Sequence, residues 1–186
     1  MKNTKSQKQQ ELDDLIIKNF LKTDNAPSFK TNKSSADLTT NLLKFVYFKL
    51  SNEYYAIDIL KVLEVIRMTR ISFLPSDNPY ILGIINMRGN IVPVIDTHSL
   101  FNVNNLVKDN NLSYIMIIEV GRTLLGFIID SVSHVVEILE NQIEQPMVTL
   151  EHKKTEHIIG ETSVNNQLVA LLDIEKLVNN EIFKPE

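Results

Sequence analysis

The 186-residue chain contains no cysteine, which excludes a disulfide framework, a thiolate zinc site and a cysteine nucleophile. Positive charge is not in excess either. Its 19 Lys and Arg stand against 23 Asp and Glu, a net charge of −4, so the chain lacks the basic footprint that a nucleic-acid-binding small barrel would carry. No apolar run approaches the roughly 18 residues of a membrane-spanning helix. The opening Met1-Lys2-Asn3-Thr4-Lys5-Ser6 is polar with no secretory core behind it. The expectation is a cytoplasmic protein with no direct membrane insertion.

Catalytic patterns are missing as well. No serine nucleophile elbow or phosphate-cradling glycine loop occurs, and Gly121 and Gly126 stand far from any helix start. His98, His134, His152 and His157 have no metal-ligand spacing, and Lys153 and Lys154 beside two of them disfavour a cation. They read as ordinary surface or strand residues. Asp130 closes the run Gly126-Phe127-Ile128-Ile129 and reads as a turn or capping residue ahead of a general base.

What is present is β-strand punctuation. Residues 1–41 form a polar extension in which Leu12, Leu15, Ile16 and Phe20 permit one short amphipathic helix, followed by a linker. From Leu42 onward, β-prone runs come in pairs. Phe45–Leu50 precedes Tyr54–Ile59, Tyr114–Val120 precedes Thr123–Ile129, and His157–Val164 precedes Leu168–Leu172, each pair split by a short polar or glycine-bearing turn. Leu60–Arg67 and Ile174–Val178 suggest short helices. No repeat of fixed period is visible, although the hairpins fall into an early and a late group.

The densest signal is Gly83–Asp96, two apolar runs flanking the turn Met87-Arg88-Gly89-Asn90. Glycine at 89 allows the reversal and leaves Arg88 projecting near the tip. Pro93 removes a ladder donor, which implies an edge strand or a bulge. Glu64 is the second notable charge, set within the largely apolar Ile59–Ile66. If the fold brings Glu64 and Arg88 together each can orient the other; otherwise a surface ion pair is worth about 0–1 kcal/mol.

Four segments, Tyr54–Ile66, Gly83–Asp96, Gly126–Val136 and Asp173–Leu177, together resemble the CheW family of bacterial chemotaxis coupling proteins, in order from about Leu42 to Val178. The most specific element is Asn86-Met87-Arg88-Gly89 followed by Pro93-Val94-Ile95-Asp96. The resemblance implies a mainly β domain over residues 42–180, built as two intertwined small SH3-like β-barrels with a few short helices, without enzyme activity or cofactor. It implies an adaptor that couples the cytoplasmic tips of transmembrane chemoreceptors to the regulatory domain of the histidine kinase CheA, recruited to membrane-associated arrays. The alternatives are a CheW-like adaptor of another receptor–kinase pathway and, from a different class, a nucleic-acid-binding small β-barrel, against which the acidic charge argues. By matching segment, Val62, Glu64 and Arg88 fall where the family binds partners, and Ile59, Val132 and Val135 where it lines the groove for the receptor tip.

Deleting residues 1–38 is expected to leave the thermal midpoint nearly unchanged, because this polar segment offers one short apolar stripe at most to a core. A large loss in a thermal melt would show that Leu15, Ile16 and Phe20 pack onto the folded domain.

Overall fold

A computed structural model describes residues 41–103, 113–146 and 156–183. The expected amphipathic helix and linker, and the Lys153-Lys154 pair, lie outside them. Strands β1 (Leu42–Leu50), β2 (Glu53–Asp58), β3 (Val62–Arg67), β4 (Ile81–Met87) and β5 (Asn90–Ile95) lead into a four-residue helix, α1 (Thr97–Leu100). Strands β6 (Tyr114–Val120), β7 (Thr123–Ile129), β8 (Ser131–Leu139), β9 (Ile158–Val164) and β10 (Gln167–Leu172) lead into α2 (Ile174–Leu177). All four expected hairpins form, and local chemistry explains them. In the β4–β5 turn both central residues are left-handed, Arg88 at φ 51° and Gly89 at φ 91°, and in the β9–β10 turn Asn165 and Asn166 do the same at 50° and 62°. Such turns match the right-handed twist of their strands. Asp96 and Asp173 then stop β5 and β10 by accepting the Ser99 and Lys176 N–H groups, which caps α1 and α2.

The strands form two five-stranded sheets, ordered β8-β1-β2-β10-β9 and β3-β6-β7-β5-β4. Their connectivity is reciprocal. β3 follows β2 along the chain but pairs with β6 of the other sheet, and β8 follows β7 but pairs with β1. Each half of the chain therefore completes the sheet that the other half begins, as intertwining requires. A structural repeat underlies this exchange, although no fixed period showed in the sequence. Gly83–Asp96 and Gly160–Asp173 correspond element by element: both hairpins end in an aspartate cap, and the Asp96 and Asp173 N–H groups donate to the carbonyls of Tyr80 and His157. Even the bulges correspond, with Leu63 skipped in the β3–β6 register and Ser133 in the β8–β1 register.

Two local expectations are corrected. Leu60–Arg67 is not a helix: Ile59–Lys61 makes a single 3-10 turn, and Val62–Arg67 is strand β3. Pairing with β6 decides this, and the branched Val62, Val65 and Ile66 suit a strand. The second expected helix does form as α2, extended by a wider turn over Val178–Ile182. Pro93 does not mark an edge strand, because β5 lies between β4 and β7. However, pairing with β7 involves only Val94 and Ile95, so the missing N–H falls where β5 pairs with β4 alone.

Each sheet curls around its own apolar filling. Phe45, Tyr47, Ala56, Val136, Val169 and Leu171 fill one, and Ile85, Val92, Val94, Ile115, Ile117 and Ile128 the other. No continuous ladder closes either sheet into a barrel among the described residues. Instead a single two-bond bridge ties the segment that follows one edge strand to the opposite edge, Ser72 beyond β3 with Ile84 of β4 and Glu144 beyond β8 with Glu161 of β9. A glycine sits beside each bridge. A Cβ on Gly83 would lie 2.3 Å from the Ser72 carbonyl oxygen, and one on Gly160 would lie 2.6 Å from that of Glu144. Neither backbone can approach unless the side chain is absent.

Two histidines are also corrected, from surface or strand residues to buried ones. His98, on α1, is 3% exposed, and its Nε2 lies 3.0 Å from Asp130 Oδ1. His157 is equally buried, with Nε2 3.4 Å from Glu181 Oε1. Asp130 is a turn-binding residue, as its sequence context suggested, but for a turn far away in the chain. Its Oδ2 accepts the N–H of Ser51, in the β1–β2 turn, at 2.5 Å, and its own N–H donates to Lys49. The carboxylate thus ties the end of β7 and α1 to the other sheet where the chain crosses over. Burial alone would raise its pKa, but the hydrogen bonds from His98 and Ser51 outweigh this and hold it below the ordinary carboxylate value.

Two predictions follow from this packing. Gly83→Ala and Gly160→Ala should each lower stability by about 1–3 kcal/mol, the usual range for a methyl forced into filled space, read as a lower urea midpoint with unchanged slope. Asp130→Ala should cost about 3 kcal/mol at neutral pH through lost charge-assisted bonds and an orphaned His98. Because the folded pKa is depressed, the Asp130 contribution is complete above the unfolded carboxylate value, about 3.9, and disappears as pH falls through the lower folded value. Wild-type stability should therefore fall more steeply with acid than that of the variant, which equilibrium unfolding across pH would measure.

Candidate functional site

Glu64 and Arg88 come from opposite ends of one sheet: β3 is one edge strand, and Arg88 caps the hairpin that carries the other edge strand, β4. Curling brings them together. Arg88 Nη2 lies 2.9 Å from Glu64 Oε2, so the pair links β3 to the tip of the β4–β5 hairpin. The two side chains differ sharply in exposure, 12% for Glu64 and 80% for Arg88. Glu64 is held in register opposite Ile117, just after the Leu63 bulge, and acts as the fixed anchor. Arg88 directs most of its guanidinium to solvent.

The backbone at Arg88 sharpens the contrast. A left-handed conformation disfavours a side-chain-bearing residue by about 1–2 kcal/mol, and Gly or Asn would fill it with less strain. The matching turn uses asparagine at both positions. Asn86 helps to hold this one, its Oδ1 accepting the Gly89 N–H at 3.1 Å. The result is a rigid tip that presents a cationic fork with five N–H donors, of which Glu64 engages one side.

The apolar candidates form a second group at the crossovers. Val132 and Val135 lie on edge strand β8, in register with the fully buried Phe48 and Val46 of β1. Val46 is also in register with Ile57 of β2, and Ile59 follows two residues later in the 3-10 turn, which packs between β1 and β6. Val132, Val135 and Ile59 are half-buried, at the margin of that face. Val62 differs from them, being 9% exposed and paired with Ile118. The exposed apolar side chains of this stretch are Leu60, at 84%, and Leu63, at 42%, which the expectation of a helix had concealed. Leu63 could have been found only by foreseeing the bulge.

Among the described residues no cluster of His, Asp or Glu could hold a metal ion, and no helix is long and apolar enough to cross a membrane. The site offers charge and apolar surface, which suit binding a macromolecule.

Comparison with known proteins agrees over the whole described domain. A model of the CheW-like domain matches residues 44–181. A chemotaxis protein CheW of Klebsiella aerogenes is 32% identical over 138 residues, covering 74% of this chain and 82% of the relative. One of Treponema pallidum is 28% identical over 141 residues, covering 74% and 83%. The crystal structure of the scaffolding protein TtCheW from Thermoanaerobacter tengcongensis superposes with a TM-score of 0.65 at 32% identity, covering 78% of this chain and 93% of that one. The chain belongs to the CheW-like family of non-catalytic chemotaxis scaffolds.

Proposed function

We propose that the protein is a cytoplasmic chemotaxis adaptor that couples chemoreceptors to the histidine kinase CheA in membrane-associated arrays, so that receptor state regulates the kinase. The observation that carries this reading is the Arg88 tip: an 80% exposed arginine, held at positive φ and anchored by a mostly buried Glu64. Backbone strain retained where a neighbouring turn of the same fold avoids it marks a residue kept for its side chain. The names of the relatives supply the system, since those above are chemotaxis proteins and a scaffolding protein.

Two surfaces divide the work. Arg88 and Glu64, with Val62 on the same strand as Glu64, orient a charged partner surface, and Ile59, Val132 and Val135 receive the apolar flank of the receptor tip. Leu60 and Leu63, exposed next to Ile59 and Val62 in the chain, add apolar side chains to the same segment. Apolar anchors supply affinity and charges supply register and encounter rate. One chain can then hold receptor and kinase together.

Arg88→Ala should leave the thermal midpoint within about 1 kcal/mol of wild-type stability, because an exposed pair contributes little, yet weaken binding to the receptor tip or the kinase regulatory domain by about 1–3 kcal/mol. Glu64→Ala combined with Arg88→Ala should lose less than the sum of the single losses, as coupled residues do. Calorimetric titration with both partners decides this. Unchanged affinities would make Arg88 a solvated turn residue, and a collapsed melt would make the pair structural.

A further inference from the structure

Outside both surfaces, a cavity of about 290 Å³ opens over strands β2, β10 and β9, bordered by Glu53, Tyr54, Tyr55, Glu161, Leu168 and Ala170. Its geometry follows from the register. Tyr55, Ala170 and Glu161 stand in one row across the three strands, and the small alanine in the middle leaves the space between the phenol and the carboxylate. Glu161 is 3% exposed, and its Oε1 has no hydrogen-bond partner. No lysine or arginine of the described residues pairs with it. Its backbone cannot swing away, because it is bonded to Glu144 on one side and in register with Ala170 on the other. Glu53 adds a second carboxylate to the wall, its Oε2 accepting the Tyr55 hydroxyl at 2.5 Å.

The internal repeat shows that the fold does not demand this acid. In the other half the place of Glu161 is taken by Ile84, that of Ala170 by Pro93, and those of Tyr55 and Glu53 by Leu125 and Thr123. The same scaffold accepts an uncharged, mostly apolar set there, without a buried carboxylate. A buried carboxylate oxygen without a partner is strongly destabilising unless a donor or cation reaches it. Aromatic walls beside carboxylates are the surroundings that a cation on an alkyl stem prefers.

We infer that this cavity is a binding site for a cationic group on a short alkyl stem, an ammonium or guanidinium, with Glu161 as its counter-ion and Tyr55 and Leu168, on the same face, beside the stem. It is independent of the Arg88 surface and of the adaptor reading. The group can come from a free amine or from a lysine or arginine side chain of a partner, and the two are separable.

The test is a titration of the full chain, followed by amide chemical shifts, with agmatine as the free cation and N-acetyl-arginine-N-methylamide as the protein-borne one, against isopentanol as a neutral control. Saturable shifts confined to Tyr54, Tyr55, Glu161, Leu168 and Ala170 are expected with at least one cation and with isopentanol absent. Tighter binding of agmatine assigns the site to a free amine, and tighter binding of the arginine amide assigns it to a partner side chain. Glu161→Gln, which keeps the shape, should weaken binding at least tenfold, and Glu161→Ile, which restores the residue of the other half, should abolish it while the melt stays cooperative. No saturable shift with either cation, or equal binding by Glu161→Gln, would overturn the assignment.

Discussion

Reciprocal exchange of β3 and β8 between two curled sheets is the constraint from which the rest of the molecule follows. Neither half of the chain can bury its apolar face alone, since each sheet takes three strands from one half and two from the other. Both crossovers must therefore be held firmly. After β7, half-buried Asp130 binds His98 and the Ser51 turn; after β2, Asp58 caps the 3-10 turn and Lys61 pairs with Glu175 of α2. The sheets also curl far enough for a single backbone bridge to join their edges, which Gly83 and Gly160 permit. That curl is what brings Arg88 within reach of Glu64.

A repeated fold with two different sets of surface residues gives one small domain several distinct faces. Where one half has the Arg88–Gly89 tip and Glu64 beyond its bulge, the other has Asn165–Asn166 and His134, whose ring lies against Tyr47. Where one half has Ile84, the other has Glu161. Two-partner coupling needs such asymmetry: the shared packing sets the spacing of the faces, and the unshared side chains set what each face recognises.

The hairpins were legible in the sequence because turn chemistry is local: Gly121, Arg88-Gly89 and Asn165-Asn166 each act within a few residues. The Glu64–Arg88 pairing was legible as a possibility, from one acid in an apolar run and one arginine at a turn tip. Other features depended on distant partners. Leu60–Arg67 became a strand because β6, some fifty residues later, presents a free edge. His98 is buried because Asp130 is waiting for it, and no spacing in the chain signals that pairing. The internal repeat is faint in the sequence because little beyond a glycine, a terminal aspartate and apolar alternation is kept between Gly83–Asp96 and Gly160–Asp173. Packing demands no more than that.

Simultaneous occupancy by two partners is the claim on which the functional reading stands. Sedimentation velocity on a mixture of the full chain, a soluble chemoreceptor-tip fragment and the kinase regulatory domain tests it most directly. A single faster-sedimenting species containing all three components is the expected result. Two binary complexes that exclude each other, or no complex with either partner, would contradict it.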